Sequence, residues 1–160
     1  MNILRVVYEW PPPWDGLATG PFELTRAQAL LKHELRVLCG GWPRHPAEPL
    51  PGVSVRRLPS AFPYSSLFVT TAPVALAWTL AWRNWADVIH GHAHLPVWYH
   101  LWRCASHNRI PYVLHLHITA AGREAKAKAQ GLSLSLWARA WEWPLQKLSD
   151  RVGCQVADAV

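Results

Sequence analysis

The chain has 160 residues, of which 51% are hydrophobic and 16% are charged, and this balance predicts a folded globular chain rather than a disordered one. Its formal net charge of +6, with histidine counted as neutral, favours an anionic partner such as a phosphate-bearing ligand or an acidic membrane surface. A nucleic-acid partner is not expected, because the arginines are spread along the chain and form no dense basic run interleaved with aromatic residues.

Short apolar segments alternate with helical patterns along the chain. This order predicts an α/β domain with a Rossmann-like parallel sheet of about six strands and helices on both faces. The expected strands are 2–7, 35–38, 53–58, 87–90, 112–116 and 151–156. The expected helices are 21–32, 65–82, 96–107, 123–130 and 134–148. We therefore expect residues 1–160 to form a single domain.

The loop after the first strand is rich in proline and glycine over residues 10–21. In a parallel α/β domain such a loop lies beside the ligand crevice. Gly16 can let another molecule approach the backbone closely. Pro21 suits the first turn of the next helix, whose free N–H groups attract an anion or a hydroxyl.

Two histidine clusters follow the fourth and fifth expected strands. The first contains His90, His92 and His94, and the second contains His115 and His117. The carboxyl ends of parallel strands meet at one edge of a sheet, so we expect both clusters beside the proline-glycine loop. One or two of these imidazoles, His117 first, are expected to line the crevice and bind hydroxyl or phosphate groups. The alternative is that they pack or form hydrogen bonds inside the domain.

A metal-dependent hydrolase is the alternative function for these histidines, since His-x-His pairs bind zinc. No carboxylate is well placed beside them, because Asp87 begins the fourth strand and Glu124 lies beyond a loop. We therefore predict no metal site and no cofactor. Residues 119–122, just before Arg123, form a loop of small residues that enters a helix, and we expect the N–H groups of this loop to face the same crevice. The alternative is a simple loop followed by polar residues that start a helix.

The chain has eleven tryptophans, and six of them form two groups that can be interpreted in two ways. Residues 78, 82 and 85 form the first group, and residues 137, 141 and 143 form the second. Aromatic helices with lysine and arginine can lie on a membrane surface, which would make the chain a non-catalytic interaction module. The other interpretation is that these tryptophans pack in the protein core. It is favoured, because positions 134, 137, 141, 145 and 148 form a regular stripe that is expected to face inward.

Cysteine usage and the amino terminus predict a cytoplasmic protein. The three cysteines, Cys39, Cys104 and Cys154, are widely separated and form no Cys-x-x-Cys pair. Arg5 and Glu9 interrupt the first segment, so no signal peptide is expected, and no run of about 18 apolar residues is present. The alternative location is the inner face of the membrane, to which the protein would bind peripherally.

Five segments in order resemble the N-terminal domain of a family 4 glycosyltransferase of the GT-B fold. The segments are 9–13 with Gly16, 27–38, 87–92, 110–117 and 149–152. Residues 27–38 are similar to the family's L-x-x-x-GHEV-x-V pattern, with Lys32 in place of the glycine, so that turn must form without it. The serine that usually follows the sixth strand is missing from residues 153–157.

The resemblance implies a retaining transfer of sugar from a nucleotide-activated donor, a UDP- or GDP-sugar, to a hydroxyl of a sugar or lipid-linked acceptor. The N-terminal domain of the family mainly holds the acceptor. By position, His117 would lie at the reacting centre. The substrate contacts would come from Asp15, Gly16 and Leu17 of the glycine loop, together with His92 and Arg123.

The family's donor-binding second domain lies outside these 160 residues. The resemblance therefore implies a half enzyme that needs a C-terminal domain or a separate subunit. We expect no glycosyl transfer by the isolated chain.

Overall fold

A parallel sheet of five strands organises the described part of the protein. The computed structural model describes residues 1–12, 14, 18–40, 46–58, 67–92, 96–106, 110–117, 119–132, 136 and 138–160. The strands are β1 (Asn2–Val7), β2 (Glu34–Cys39), β3 (Val53–Arg57), β4 (Val88–His92) and β5 (Tyr112–His115). Their order in the sheet is β3-β2-β1-β4-β5, and every neighbouring pair is parallel.

Helices cover both faces of this sheet, as the alternating pattern predicts. They are α1 (Thr19–Leu30), α2 (Leu67–Trp82), α3 (Val97–Ala105), α4 (Ala120–Ala129) and α5 (Trp143–Val156), with a π-helical turn at Ala138–Glu142. On one face, Phe22 of α1 packs with Val7 and Val37. On the other face, residues of α2 and α3 pack with Leu4 and Ile89.

Arg5 holds α1 against the middle of the sheet. It is fully buried in β1, and its guanidinium donates hydrogen bonds to the Pro21 carbonyl oxygen at 3.1 Å, to Thr25 Oγ1 and to Gln28 Oε1 at 2.6 Å. Burial lowers the pKa of Arg5 to about 10, which still leaves it charged at neutral pH. This arginine therefore fixes one helix to the strand that leads into the proline-glycine loop.

The turn between α1 and β2 forms without glycine, as the sequence requires. The N–H of Lys32 donates to the carbonyl oxygen of Ala29, and the N–H of His33 donates to that of Gln28. These two bonds close a helix in the pattern that usually places glycine in the left-handed conformation. Here Lys32 adopts that conformation, with φ at 64°.

The expected sixth strand is wrong, because residues 151–156 belong to α5. Gly153 of this helix approaches α3 so closely that an added Cβ would lie 2.8 Å from His100 Cε1. Among the described residues that follow α5, Ala159 forms a single parallel bridge with Val113 of β5. The sheet of the described residues therefore has five strands rather than about six.

The inward stripe expected over residues 134–148 is wrong at Trp141 and Leu148, whereas Leu145 packs against Val97. Trp141 is 47% exposed and Leu148 is 42% exposed, whereas Gln146 and Ser149 are buried. The π-helical turn at Ala138–Glu142 adds residues per turn and so shifts the phase of the pattern before α5 begins. Positions 134 and 137 lie outside the described residues.

The tryptophans of α2 and of the turn after it support the core interpretation. Trp78, Trp82 and Trp85 are partly buried and pack against the main core cluster. Arginine side chains cover their outer surfaces, with Arg56 3.6 Å from the ring of Trp78 and Arg36 4.1 Å from that of Trp85. Among the described helices, none is long and apolar enough to cross a membrane.

Candidate active site

Four imidazoles lie together at the carboxyl ends of β4 and β5, as the two sequence clusters predict. His92 is paired with His115 in the sheet register, and the two ring centroids are 4.9 Å apart. His90 lies 4.4 Å from His92 between ring centroids, and His117 lies 4.3 Å from His115. Residues two apart on a strand share a face, which explains why both members of each pair meet on the same side of the sheet.

His92 and His90 form the buried part of this cluster. His92 is only 2% exposed, and within the described residues neither of its ring nitrogens has a hydrogen-bond partner. Burial, with smaller contributions from His90 and Arg5, lowers the pKa of His92 to about 2. Burial and the charge of Arg5 lower the pKa of His90 to about 3. Both rings are therefore neutral at pH 7, and each has one N–H and one lone pair. The lone pair of His90 Nδ1 faces Arg5 Nη2 at 3.3 Å.

His117 forms the solvent-facing end of the cluster. Its side chain is exposed, and its ring centroid lies 5.8 Å from that of His92. Partial burial, together with the neighbouring His115, lowers the pKa of His117 below its usual value. A molecule at the edge of the sheet would meet this imidazole in its neutral form near pH 7.

The beginning of the proline-glycine loop is held at the same edge. Trp10 is buried, and its indole N–H donates to the carbonyl oxygen of Glu48 at 3.0 Å. Arg57 at the end of β3 donates hydrogen bonds to the carbonyl oxygens of Trp10, Pro11 and Pro12 at 3.0, 3.1 and 3.2 Å. The sequence pattern did not indicate Arg57, because only the fold brings its guanidinium to the loop.

The remaining expected contacts of this loop, Asp15, Gly16 and Leu17, lie outside the described residues. Trp14, just before them, is 53% exposed and packs edge-on against Phe22 at 4.8 Å. This tryptophan therefore marks where the loop meets α1. His94 also lies outside the described residues.

Arg123 lies on the exposed side of the first turn of α4. The helix begins at Ala120 rather than at residue 123, because the Thr119 side chain caps it by accepting a bond from the N–H of Gly122. The N–H of Ala120 donates to Asp150 Oδ2 at 2.5 Å. Two of the N–H groups expected to face the crevice are therefore already used inside the protein.

A buried polar chain supports the cluster from the other face of the sheet. His100 Nε2 lies 2.5 Å from the Tyr112 hydroxyl, and His100 Nδ1 lies 3.0 Å from Ser149 Oγ. Gly91 lies between His90 and His92, and an added Cβ there would lie 2.5 Å from the Tyr112 hydroxyl. The glycine thus allows β4 to lie close against this chain while its two histidines face the other side.

The family is decided by a match over nearly the whole chain. The family model described as Glycosyltransferase Family 4 matches residues 14–157. The chain belongs to Glycosyltransferase Family 4. No curated protein matches the sequence significantly.

A solved structure has the same fold as this family 4 domain. The domain is similar to sucrose-phosphate synthase from Thermosynechococcus elongatus, with a TM-score of 0.65 and 15% sequence identity. The match covers 95% of this chain and 40% of that structure. The family 4 domain therefore has the Rossmann-like architecture of one half of a GT-B glycosyltransferase, and it spans less than half the length of this similar structure.

Proposed function

We propose that this family 4 domain is the acceptor-binding half of a retaining glycosyltransferase. The donor is a UDP- or GDP-sugar, and the acceptor is a hydroxyl of a sugar or of a lipid-linked sugar. The observation that supports this most is the close packing of His92, His115 and His117 at the carboxyl ends of β4 and β5, the edge of the sheet at which β1 also ends. This edge is where parallel α/β sheets bind their ligands.

His117 is the proposed catalytic residue of this site. Its exposure at the end of β5 lets it contact a molecule in the crevice, and its lowered pKa keeps the ring neutral. A neutral imidazole can accept a hydrogen bond from one hydroxyl and donate one to another oxygen. His117 would thus position the acceptor hydroxyl, or a donor sugar hydroxyl, at the reacting centre.

Four further residues are the proposed substrate contacts. Asp15, Gly16 and Leu17 would approach the donor phosphates and sugar, while Arg123 would contact the acceptor side. The expected contact of His92 would be indirect, through His115 and His117, because His92 is 2% exposed. Arg57 would be a positioning residue for the loop after β1, because its guanidinium donates hydrogen bonds to the carbonyl oxygens of residues 10–12. Closure against a donor-binding domain, on the same chain or on a separate subunit, would exclude water from the activated donor.

Saccharide binding tests this proposal. The isolated chain is applied to an array of free sugars, sugar phosphates and polyprenyl-phosphate-linked sugars. We expect binding to at least one of these classes, and a loss of about tenfold or more in the His117→Ala variant. The matched control is His33→Ala, because His33 lies just before β2, at the opposite edge of the sheet. No saccharide binding, or equal loss in both variants, would contradict the acceptor role.

Incubation with radiolabelled donors tests the expected inactivity of the isolated chain. We expect no labelled product from UDP-glucose or GDP-mannose with any saccharide that binds on the array. The reason is that the activated donor needs contacts from a second domain. Steady turnover by the purified 160 residues would show that they transfer sugar without a donor-binding partner.

We also propose a peripheral membrane contact through the segment around α5. Leu136, Trp141 and Leu148 are exposed there, at 83%, 47% and 42%. Lys147 is close by, 51% exposed, and paired with Glu124 at 2.5 Å. Exposed aromatic and aliphatic side chains beside basic groups favour binding to an anionic lipid surface.

Vesicle co-sedimentation tests this contact. We expect the chain to sediment with phosphatidylglycerol vesicles more than with phosphatidylcholine vesicles, and Trp141→Ser to reduce the bound fraction several-fold. The control is Leu31→Ser, because Leu31 is 70% exposed at the end of α1, on the other side of the sheet. Equal sedimentation of the two variants would exclude the α5 segment as the contact.

A further inference from the structure

The imidazole of His92 is buried without a hydrogen-bond partner among the described residues. A buried polar group without a hydrogen-bond partner destabilises a folded protein. His92 is 2% exposed, and within the described residues both of its nitrogens lack such a partner. Among the described residues, its ring contacts include three other imidazoles, those of His90, His115 and His117. A group that accepts lone pairs from several imidazoles at once would satisfy it.

The three innermost histidines can converge on one point. His90, His92 and His115 each offer one ring nitrogen, and these nitrogens all lie within 4.8 Å of one another. Two of the three come from adjacent positions on one face of β4, and the third is the register partner of His92 on β5. The sheet therefore fixes the backbone of all three ligands, and the rings must turn toward one another to bring the nitrogens to a shared ion.

We propose that His90, His92 and His115 form a binding site for a divalent transition-metal cation, best fitted by zinc. Neutral imidazole nitrogens are common ligands of zinc, nickel, copper and cobalt, whereas magnesium and calcium prefer oxygen. Three protein ligands leave a fourth position open on zinc. The proposal does not depend on the glycosyltransferase function, and it departs from the sequence-based expectation of no metal site.

Arg5 is the charged group that opposes this site. Its Nη2 lies 3.3 Å from His90 Nδ1. If His90 binds the ion through Nε2, its proton moves to Nδ1, and the contact with Arg5 is released. The guanidinium keeps its bonds to Pro21, Thr25 and Gln28. Because a positive charge remains nearby, we expect the ion to bind more weakly than in a cysteine-rich structural zinc site.

Direct metal titration tests the site without any sugar. The purified chain is stripped with EDTA and titrated with zinc in competition with a chromophoric chelator, and cobalt is used as a spectroscopic probe. We expect one zinc ion per chain, with cobalt bound more weakly, and visible absorption from tetrahedral cobalt. Both His92→Ala and His115→Ala should weaken binding at least about tenfold.

The variants separate the possible outcomes. His115→Ala removes a ligand from the exposed end of β5, so it is the informative variant if His92→Ala does not fold. His33→Ala, which removes an imidazole from the opposite edge, should leave the affinity unchanged. The proposal is overturned if no zinc binds at stoichiometric concentration, or if zinc binds equally well to the His115→Ala chain. If the unmodified chain binds zinc but no saccharide, the proposed function alone is contradicted.

Discussion

Lys32 shows how a single residue can depart from the family pattern while keeping its backbone shape. Its φ of 64° lies in the left-handed region, which for a non-glycine residue is less stable by roughly 1–2 kcal/mol. The other helix that ends in this way is α4, which places Gly131 at the same point with φ at 67°. The same turn is therefore formed once with glycine and once with lysine.

We predict that Lys32→Gly stabilises the domain. The gain is about 1 kcal/mol, since relief of the left-handed strain is partly offset by the greater freedom of glycine in the unfolded chain. This corresponds to a rise in Tm of about 2–4 °C for a domain of this size. Lys32→Ala is the control, because it removes the charge and keeps the Cβ atom. Equal Tm values for the two variants would mean that the strain is not what destabilises the turn.

At the scale of the elements, β4 and α3 depend on the absence of a side chain at Gly91. An added Cβ would lie 2.5 Å from the Tyr112 hydroxyl and 2.9 Å from Pro96 Cγ. The hydroxyl is engaged by His100 and is fully buried, so it has little room to move away. Pro96 directly precedes α3, so the end of β4 packs closely against the start of this helix at Gly91.

We predict that Gly91→Ala destabilises the domain by about 1–3 kcal/mol, which is the usual effect of overpacking a filled core. Urea unfolding followed by tryptophan fluorescence measures it. The control is Gly20→Ala in the first turn of α1, where an added Cβ meets no atom within 4 Å. That variant should be neutral or slightly stabilising. A Gly91→Ala chain as stable as Gly20→Ala would disprove the close packing of β4 against Tyr112.

The elements that sequence could predict are those whose buried positions are apolar. The strand β1 is buried on both faces, its buried positions are apolar except for Arg5, and its bounds, Asn2–Val7, match the predicted range. The sequence predicts a strand over the end of α5 because the buried face of this helix has a single hydrophobic residue, Val152, beside Gln146, Ser149 and Gly153. One buried hydrophobic position does not reveal a helical spacing in a hydrophobic pattern.

On the scale of the whole molecule, the edge of the sheet was predictable and the details of the site were not. Parallel strands bring their carboxyl ends together, so two histidine clusters far apart in sequence had to meet. The lowered pKa of His92 and the contact between Arg5 and His90 depend on burial and on side-chain packing under α1. Those quantities come from the three-dimensional arrangement, and no local pattern contains them.

A crystal structure of this chain with the saccharide that binds best on the array shows directly whether the edge of the sheet holds the sugar. We expect the sugar to lie at the carboxyl edge of the sheet, with an oxygen within hydrogen-bond distance of a ring nitrogen of His117. The loop after β1 should contact the same molecule. A saccharide bound instead on the α4–α5 surface, or beside His33 at the opposite edge, would contradict it.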